Sequence, residues 1–197
     1  MTRLAIVYYS QTGNTALIAA AVAEGAETVA GVDVQCIPIA ADGTLPASDW
    51  AALDAADAII FGTATHMGGP AWQFKRMADD SGLRWLDRAW LDKIAGGFTC
   101  AGSPNGDKGT VMLYLATLAA QHGMMWVSLG QLPAQSENST PAEQNWVGGS
   151  FGPTATAPAK GAVAQGDLLS ARAYGARLAT VAKALAAGIR PSTISAQ

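Results

Sequence analysis

Charge is scarce in this sequence. Only 12 Lys and Arg and 15 Asp and Glu stand among 197 residues, a net charge of −3, and no Lys/Arg-rich block occurs anywhere. Such a chain has no basic patch for nucleic acid or an anionic membrane surface as main partner. No apolar run approaches the roughly 18 residues of a membrane span. No targeting segment is visible either, because residues 3–9 already read as a strand that cleavage would destroy. Cysteine is nearly absent. Cys36 and Cys100 lie far apart without metal-ligand spacing, so no metal site and no disulfide is expected, and both read as reduced thiols in a cytoplasmic protein. Cys36 is expected to be a small buried hydrophobe.

What is abundant is apolar surface. Half of the residues are hydrophobic, which excludes disorder and supports a large core, and the length suits one domain over 1–197. Apolar runs alternate with helical periods. Strands are predicted at 3–9, 32–39, 57–63, 93–100 and 124–130. Helices are predicted at 14–30, at 48–56 with Ser48 as cap, at 71–82 closing on Gly82, at 109–122 and at 167–187. Five strands joined by helices make a parallel α/β sheet with helices on both faces. Trp126 is placed in a central strand. Residues 131–166 lack a period but hold Trp146, Val147 and Phe151, so an ordered excursion between the fifth strand and the last helix is expected.

Ligands of open parallel sheets collect at the carboxyl ends of the strands. Three of those ends are built of small, hydroxyl and turn-forming residues: "SQTGNT" after the first strand, "TATHMGGP" after the third and "TCAGSPNGDKG" after the fourth. In the first, Ser10, Thr12 and Thr15 offer hydroxyls, Asn14 an amide, and Gly13 a tight turn into a helix start, whose N–H groups attract a phosphate. No Lys or Arg lies within 10–15. The loop therefore matches neither a nucleoside-triphosphate loop nor a Gly-x-Gly-x-x-Gly turn. Neutral donors suit a phosphomonoester that stays bound, as on a cofactor.

The run "IVYYSQTGNTALIAAAV" resembles the signature of flavodoxin-type FMN-binding domains. "FGTATHMGGPAWQFKRMADDSGLRW", "LAAQHGMMWVSLG" and "SARAYGARLATVAKAL" are similar to segments of WrbA-type NAD(P)H:quinone oxidoreductases. The resemblance spans nearly the whole chain and implies a flavodoxin-like three-layer sandwich with strand order 2-1-3-4-5. It implies that Ser10, Gln11, Thr12, Gly13, Asn14 and Thr15 wrap the FMN phosphate. Ala64, Thr65, His66 and Met67 would line one edge of the ring, and Cys100, Ala101, Gly102, Ser103, Pro104 and Asn105 the other. Trp85 would cover the space where nicotinamide or quinone stacks, with Met67 and Gln121 also on the substrate side. The family's homotetramers imply a homo-oligomer, tetramer or dimer.

This sequence departs from that pattern at three places. His66 and Met67 stand where the family often has Arg and Phe, Gln121 replaces the first of two consecutive histidines, and the stretch between strands two and three is shorter. The implied reaction is ping-pong: NADH or NADPH reduces the flavin, and a quinone then takes two electrons, with His66 as proton or hydrogen-bond donor. His122 has two readings, a favourable charge at a helix C-terminus or a contact with the site. The cluster Arg84–Arg88 is either a positive patch for a nicotinamide phosphate or a solvated turn. The rival function is a flavodoxin-like carrier that passes single electrons between proteins, for which −3 is weakly acidic.

Overall fold

In the computed structural model, which describes residues 1–188, apolar runs and helical periods resolve into thirteen elements. These are β1 (Thr2–Tyr8), α1 (Asn14–Glu27), β2 (Val32–Pro38), α2 (Ala47–Ala55), β3 (Ala58–His66), β4 (Gly69–Pro70), α3 (Trp72–Asp80), α4 (Gly82–Leu86), β5 (Ile94–Ala101), α5 (Lys108–Gln121), β6 (Met125–Trp126), β7 (Thr154–Thr156) and α6 (Gln165–Gly188). The main sheet runs β2-β1-β3-β5-β6, with β7 also on β5 and β4 turned back on β3. The ladders of the main path and of β7 are parallel, and the β3–β4 pair is antiparallel.

β1, β3 and β5 read as unbroken apolar runs because helices cover both faces of the sheet. On one face Phe61, Phe74, Trp90 and Leu115 form a core with α2, α3 and α5. On the other, Ile6, Ile60, Tyr174 and Leu178 pack with α1 and α6. The result is the expected three-layer α/β sandwich of flavodoxin type. α1 and α6 touch backbone to backbone. A Cβ on Gly25 would stand 1.8 Å from the Arg172 carbonyl oxygen, and one on Gly175 1.9 Å from that of Val22.

The main correction concerns the fifth strand. Of residues 124–130 only Met125 and Trp126 pair as a strand, opposite Ile94 and Ala95. The upper half of the same sheet position is filled by Thr154–Thr156, opposite Thr99, Cys100 and Ala101. The excursion thus divides the fifth strand instead of following it, and Trp126 stands half-buried at a sheet edge, not in its centre. Three residues are too few to register as a period. The excursion is ordered around buried Asn145, whose Nδ2 donates to the carbonyls of Gln131 (3.1 Å) and Gly149 (3.0 Å) and whose N–H donates to Ser170 Oγ (2.7 Å).

Smaller corrections have local causes. Pro46, not Ser48, precedes the first turn of α2, and no side chain caps it. The first long helix after the hairpin ends on Ser81, and Gly82 opens α4 instead of closing a helix. Cys36 is exposed, because β2 is an edge strand with a solvated outer face.

β7 is held by a buried polar chain. Lys108, 3% exposed, donates to the Ala155 carbonyl at 3.1 Å and to Thr156 Oγ1 at 3.0 Å. The Thr156 N–H donates to Asp167 Oδ2 at 2.7 Å. Burial pulls the pKa of Lys108 down and pushes that of Asp167 up, and the opposite charge of each resists the other's shift.

Gly175→Ala forces a methyl into the α1–α6 contact and should cost about 1–3 kcal/mol. A urea titration should show a lower midpoint with an unchanged slope.

Candidate functional site

Parallel pairing puts the three predicted loops on one edge. Tyr8 stands opposite Gly62, Ala64 opposite Cys100 and Ala101 opposite Thr156, so residues 10–15, 64–67 and 100–105 all leave the sheet at its carboxyl end. Trp85 and Gln121 do not join them.

In the first loop Ser10 Oγ accepts the Ala16 N–H at 3.1 Å, a side-chain bond that steadies the start of α1. Gly13 has φ 94°, and a Cβ there would meet nothing within 4 Å, so the loop opens on empty space. Gln11 and Thr12 are exposed. Among the described residues no acceptor takes the N–H groups of Thr12, Gly13, Asn14 and Thr15. The buried Thr15 hydroxyl lies 3.4 Å from Cys100 Sγ, which ties the first loop to the third. The Asn14 amide is committed elsewhere: Nδ2 donates to the Ala159 carbonyl at 3.1 Å and Oδ1 accepts the Gly161 N–H at 2.8 Å.

The second loop is a hairpin. His66 pairs with Gly69, and the two residues between, Met67 and Gly68, have φ 49° and 75°, the left-handed pair of a type I′ turn. Methionine rarely takes that conformation, and it costs about 1–2 kcal/mol relative to a right-handed residue. The turn leaves the His66 imidazole exposed and the Met67 side chain wholly in solvent. Thr65 Oγ1 and Thr99 Oγ1 share a hydrogen bond of 3.0 Å, which fixes the hairpin base to β5.

The third loop presents Gly102, Ser103, Pro104 and Asn105 to solvent, then turns through Gly106 and Asp107 at φ 49° and 53°. Cys100 is buried, and burial pushes its thiol pKa up. It therefore stays neutral and serves as packing against Thr15.

The edge fits the FMN that the resemblance implies. Unclaimed N–H groups at a helix start, the exposed Thr12 hydroxyl and the open space at Gly13 suit a phosphate. The two other loops, at 64–67 and 100–105, are built largely of small residues and leave the sheet side by side at the same edge.

α5 leads away from this edge. The Asp92 N–H donates to the Gly123 carbonyl at 3.0 Å, so the end of α5 lies beside the start of β5, at the amino end of the sheet. There Gln121 lines an open pocket with Trp85, Leu86, Arg88 and His122. Arg84 is tied to Asp54 at 3.1 Å and stacks over Trp50 at 4.0 Å, as a surface turn would. His122 caps α5, but its ring is buried. Nε2 shares a 2.9 Å bond with Ser81 Oγ, and the ring packs 4.3 Å from that of Trp90. Burial lowers its pKa, so it is a neutral packing group and not a charge on the helix dipole.

Sequence reading missed four contributors to the edge. Ala159 and Gly161 reach Asn14 from a stretch without periodicity, and Lys108 and Asp167 meet only through β7. Neither periodicity nor a motif marks these four in the sequence.

The sequence model described as Flavodoxin matches residues 6–109. The protein named flavodoxin FldP of Pseudomonas aeruginosa (strain UCBPP-PA14) is 40% identical over 188 residues, 94% of this chain and 99% of its own length. The crystal structure of "the flavodoxin, WrbA-like protein" of Agrobacterium tumefaciens superposes with a TM-score of 0.77 at 44% identity, covering 93% of this chain and 99% of that one. A flavodoxin from the domain Archaea shares the fold at 19% identity and a TM-score of 0.60, over 92% of this chain and 99% of its own.

His122 gives a pH test. Its folded pKa lies below the ordinary 6.5, so the unfolded chain binds more protons as pH drops through that value, and stability falls with it. Denaturation midpoints at pH 7.5 and 5.5 should differ for the parent protein. His122→Asn should remove that part of the difference while lowering stability at both values.

Proposed function

Since the chain belongs to the flavodoxin family, whose fold implies FMN binding, we propose that it is an FMN-dependent oxidoreductase carrying two electrons from NADH or NADPH to quinones in a ping-pong reaction. The observation that carries this reading is the makeup of the cofactor edge. Residues 10–15, 64–70 and 100–107 contain no Phe, Tyr or Trp, and Tyr9 is turned inward, where its hydroxyl accepts a 2.6 Å bond from Gln73 Nε2. No aromatic side chain of these loops shields the ring, so one face stays open for a planar nicotinamide or quinone to stack. Bound FMN supplies the hydride acceptance and the two-electron release.

The chain's own residues bind and orient. The N–H groups of 12–15 and the Thr12 hydroxyl would hold the phosphate. The N–H groups of the 100–105 loop would stabilise the negative charge that grows on the ring's pyrimidine side on reduction. The exposed His66 imidazole offers a proton or hydrogen bond to the quinone, and Met67 forms an apolar wall. Trp85 and Gln121 stand at the far end of their own sheet, so in this reading a second copy in a homo-oligomer brings them over the ring. The protein works in the cytoplasm, with small-molecule partners.

The Pseudomonas aeruginosa relative is named a flavodoxin, which supports a second reading as a carrier of single electrons between proteins. Carriers steer such encounters with strongly acidic faces, and a net charge of −3 over 197 residues offers little of one.

Purified protein should be yellow and should consume NADH or NADPH rapidly when benzoquinone is added. Trp85→Ala should lower kcat/KM for the quinone by about tenfold, the worth of one aromatic stacking contact. A bound flavin that neither nicotinamide reduces would overturn the enzyme and leave the carrier.

A further inference from the structure

The first loop contains no cation, yet a phosphomonoester carries nearly two negative charges at neutral pH. The excursion brings one to it. Beyond β7 the Ala157 N–H donates to the Ala101 carbonyl at 2.8 Å, and the chain then crosses the carboxyl edge to α1. There it makes a tight turn, in which the Ala162 N–H donates to the Ala159 carbonyl at 3.1 Å. Gly161, third in the turn, has φ 73°, the left-handed conformation that a type II turn requires at that place.

Both ends of the Asn14 amide grip this turn, at the Ala159 carbonyl and the Gly161 N–H. These are the two residues flanking Lys160. Asn14 is itself buried and is the first residue of α1. The clamp therefore seats Lys160, at the corner of the turn, beside the start of the helix whose N–H groups are unclaimed. Lys160 is exposed, and among the described residues it makes no ion pair. No other Lys or Arg occurs in residues 10–15, 64–70 or 100–107, and Lys108, just beyond, is buried and bonded to β7.

We propose that Lys160 is the counter-cation of the cofactor's phosphate, carried to the α1 start by the turn at 159–162 that Asn14 clamps. The assignment rests on the FMN reading above. Its consequence is reciprocal: a bound phosphate holds the turn, and the seated turn strengthens the phosphate site, as linkage demands. A neutral loop then serves a doubly charged ligand because its charge partner is supplied by residues about 145 positions further along the chain.

The test compares FMN with riboflavin, which lacks the phosphate, by flavin-fluorescence titration of protein stripped of its cofactor. Lys160→Ala should weaken FMN by about tenfold, the loss of one charge-assisted contact. Lys160→Glu should weaken it further, Lys160→Arg should stay near the parent, and the differences should shrink in high salt. Riboflavin affinity should not change in any variant. In hydrogen exchange, FMN should protect the Gly161 and Ala162 amides of the parent more than riboflavin does. The 2′-phosphate of NADPH is the other phosphomonoester at hand. A Lys160→Ala protein that keeps its FMN affinity but loses its discrimination of NADPH from NADH would overturn the assignment in favour of that source. FMN affinity within twofold of the parent, or equal losses for FMN and riboflavin, would overturn it outright. A parent protein that binds neither flavin overturns the FMN reading itself, a result distinct from either.

Discussion

The arrangement of the carboxyl edge depends on one buried ammonium. Lys108 stands at the first position of α5, directly after the third loop, and spends two of its protons on β7. An unpaired charge at that depth would be costly, and Asp167, reached through the Thr156 N–H, supplies the compensating one. The pair fixes β7 against the upper half of β5. From there the chain has only one short path, past Ala101 to Asn14. Third loop, excursion and first loop thus form one unit, tied together by the Thr15–Cys100, Asn14–Ala159, Asn14–Gly161 and Ala157–Ala101 bonds, while the N–H groups of 12–15 stay unclaimed.

That unit was only half legible in the sequence. The three loops announced themselves because each interrupts an apolar run with Gly, Ser and Thr, and parallel topology sends all strand ends to the same edge. The long strands were equally legible, since a strand buried on both faces is a continuous apolar run. Contacts made by side-chain amides were not. Nothing in "SQTGNT" says that Asn14 is committed to Ala159 and Gly161, because that partnership is set by where β7 ends. β7 itself, "TAT", is too short to carry a period. Cys36 and Ser48 failed for a related reason: residue type suggested burial for one and capping for the other, whereas position on an edge strand and a preceding Pro46 decided each.

The two ends of the sheet have different characters. At the carboxyl edge the loops are joined by polar side chains, Asn14, Thr15, Thr65 and Thr99 among them. At the amino end Trp85 and Gln121 frame a pocket whose one titratable imidazole is sequestered against Ser81 and Trp90. The other imidazole, His66, stands exposed in the β3–β4 hairpin, at the carboxyl end. Trp85 is half in solvent, an expensive exposure for an indole unless a ligand or another chain covers it.

The divided fifth strand also says where this architecture admits new chain. β1, β3 and β5 each carry a ladder on both sides, so an insertion into any of them would break two. Among the described residues the fifth position pairs only with β5, and its two halves keep their register to that one neighbour with the excursion standing between them. An outermost strand is thus the cheapest place to lengthen a parallel sheet protein. Additions there emerge beside the carboxyl edge, where residues that never belonged to the original loops can be recruited to them.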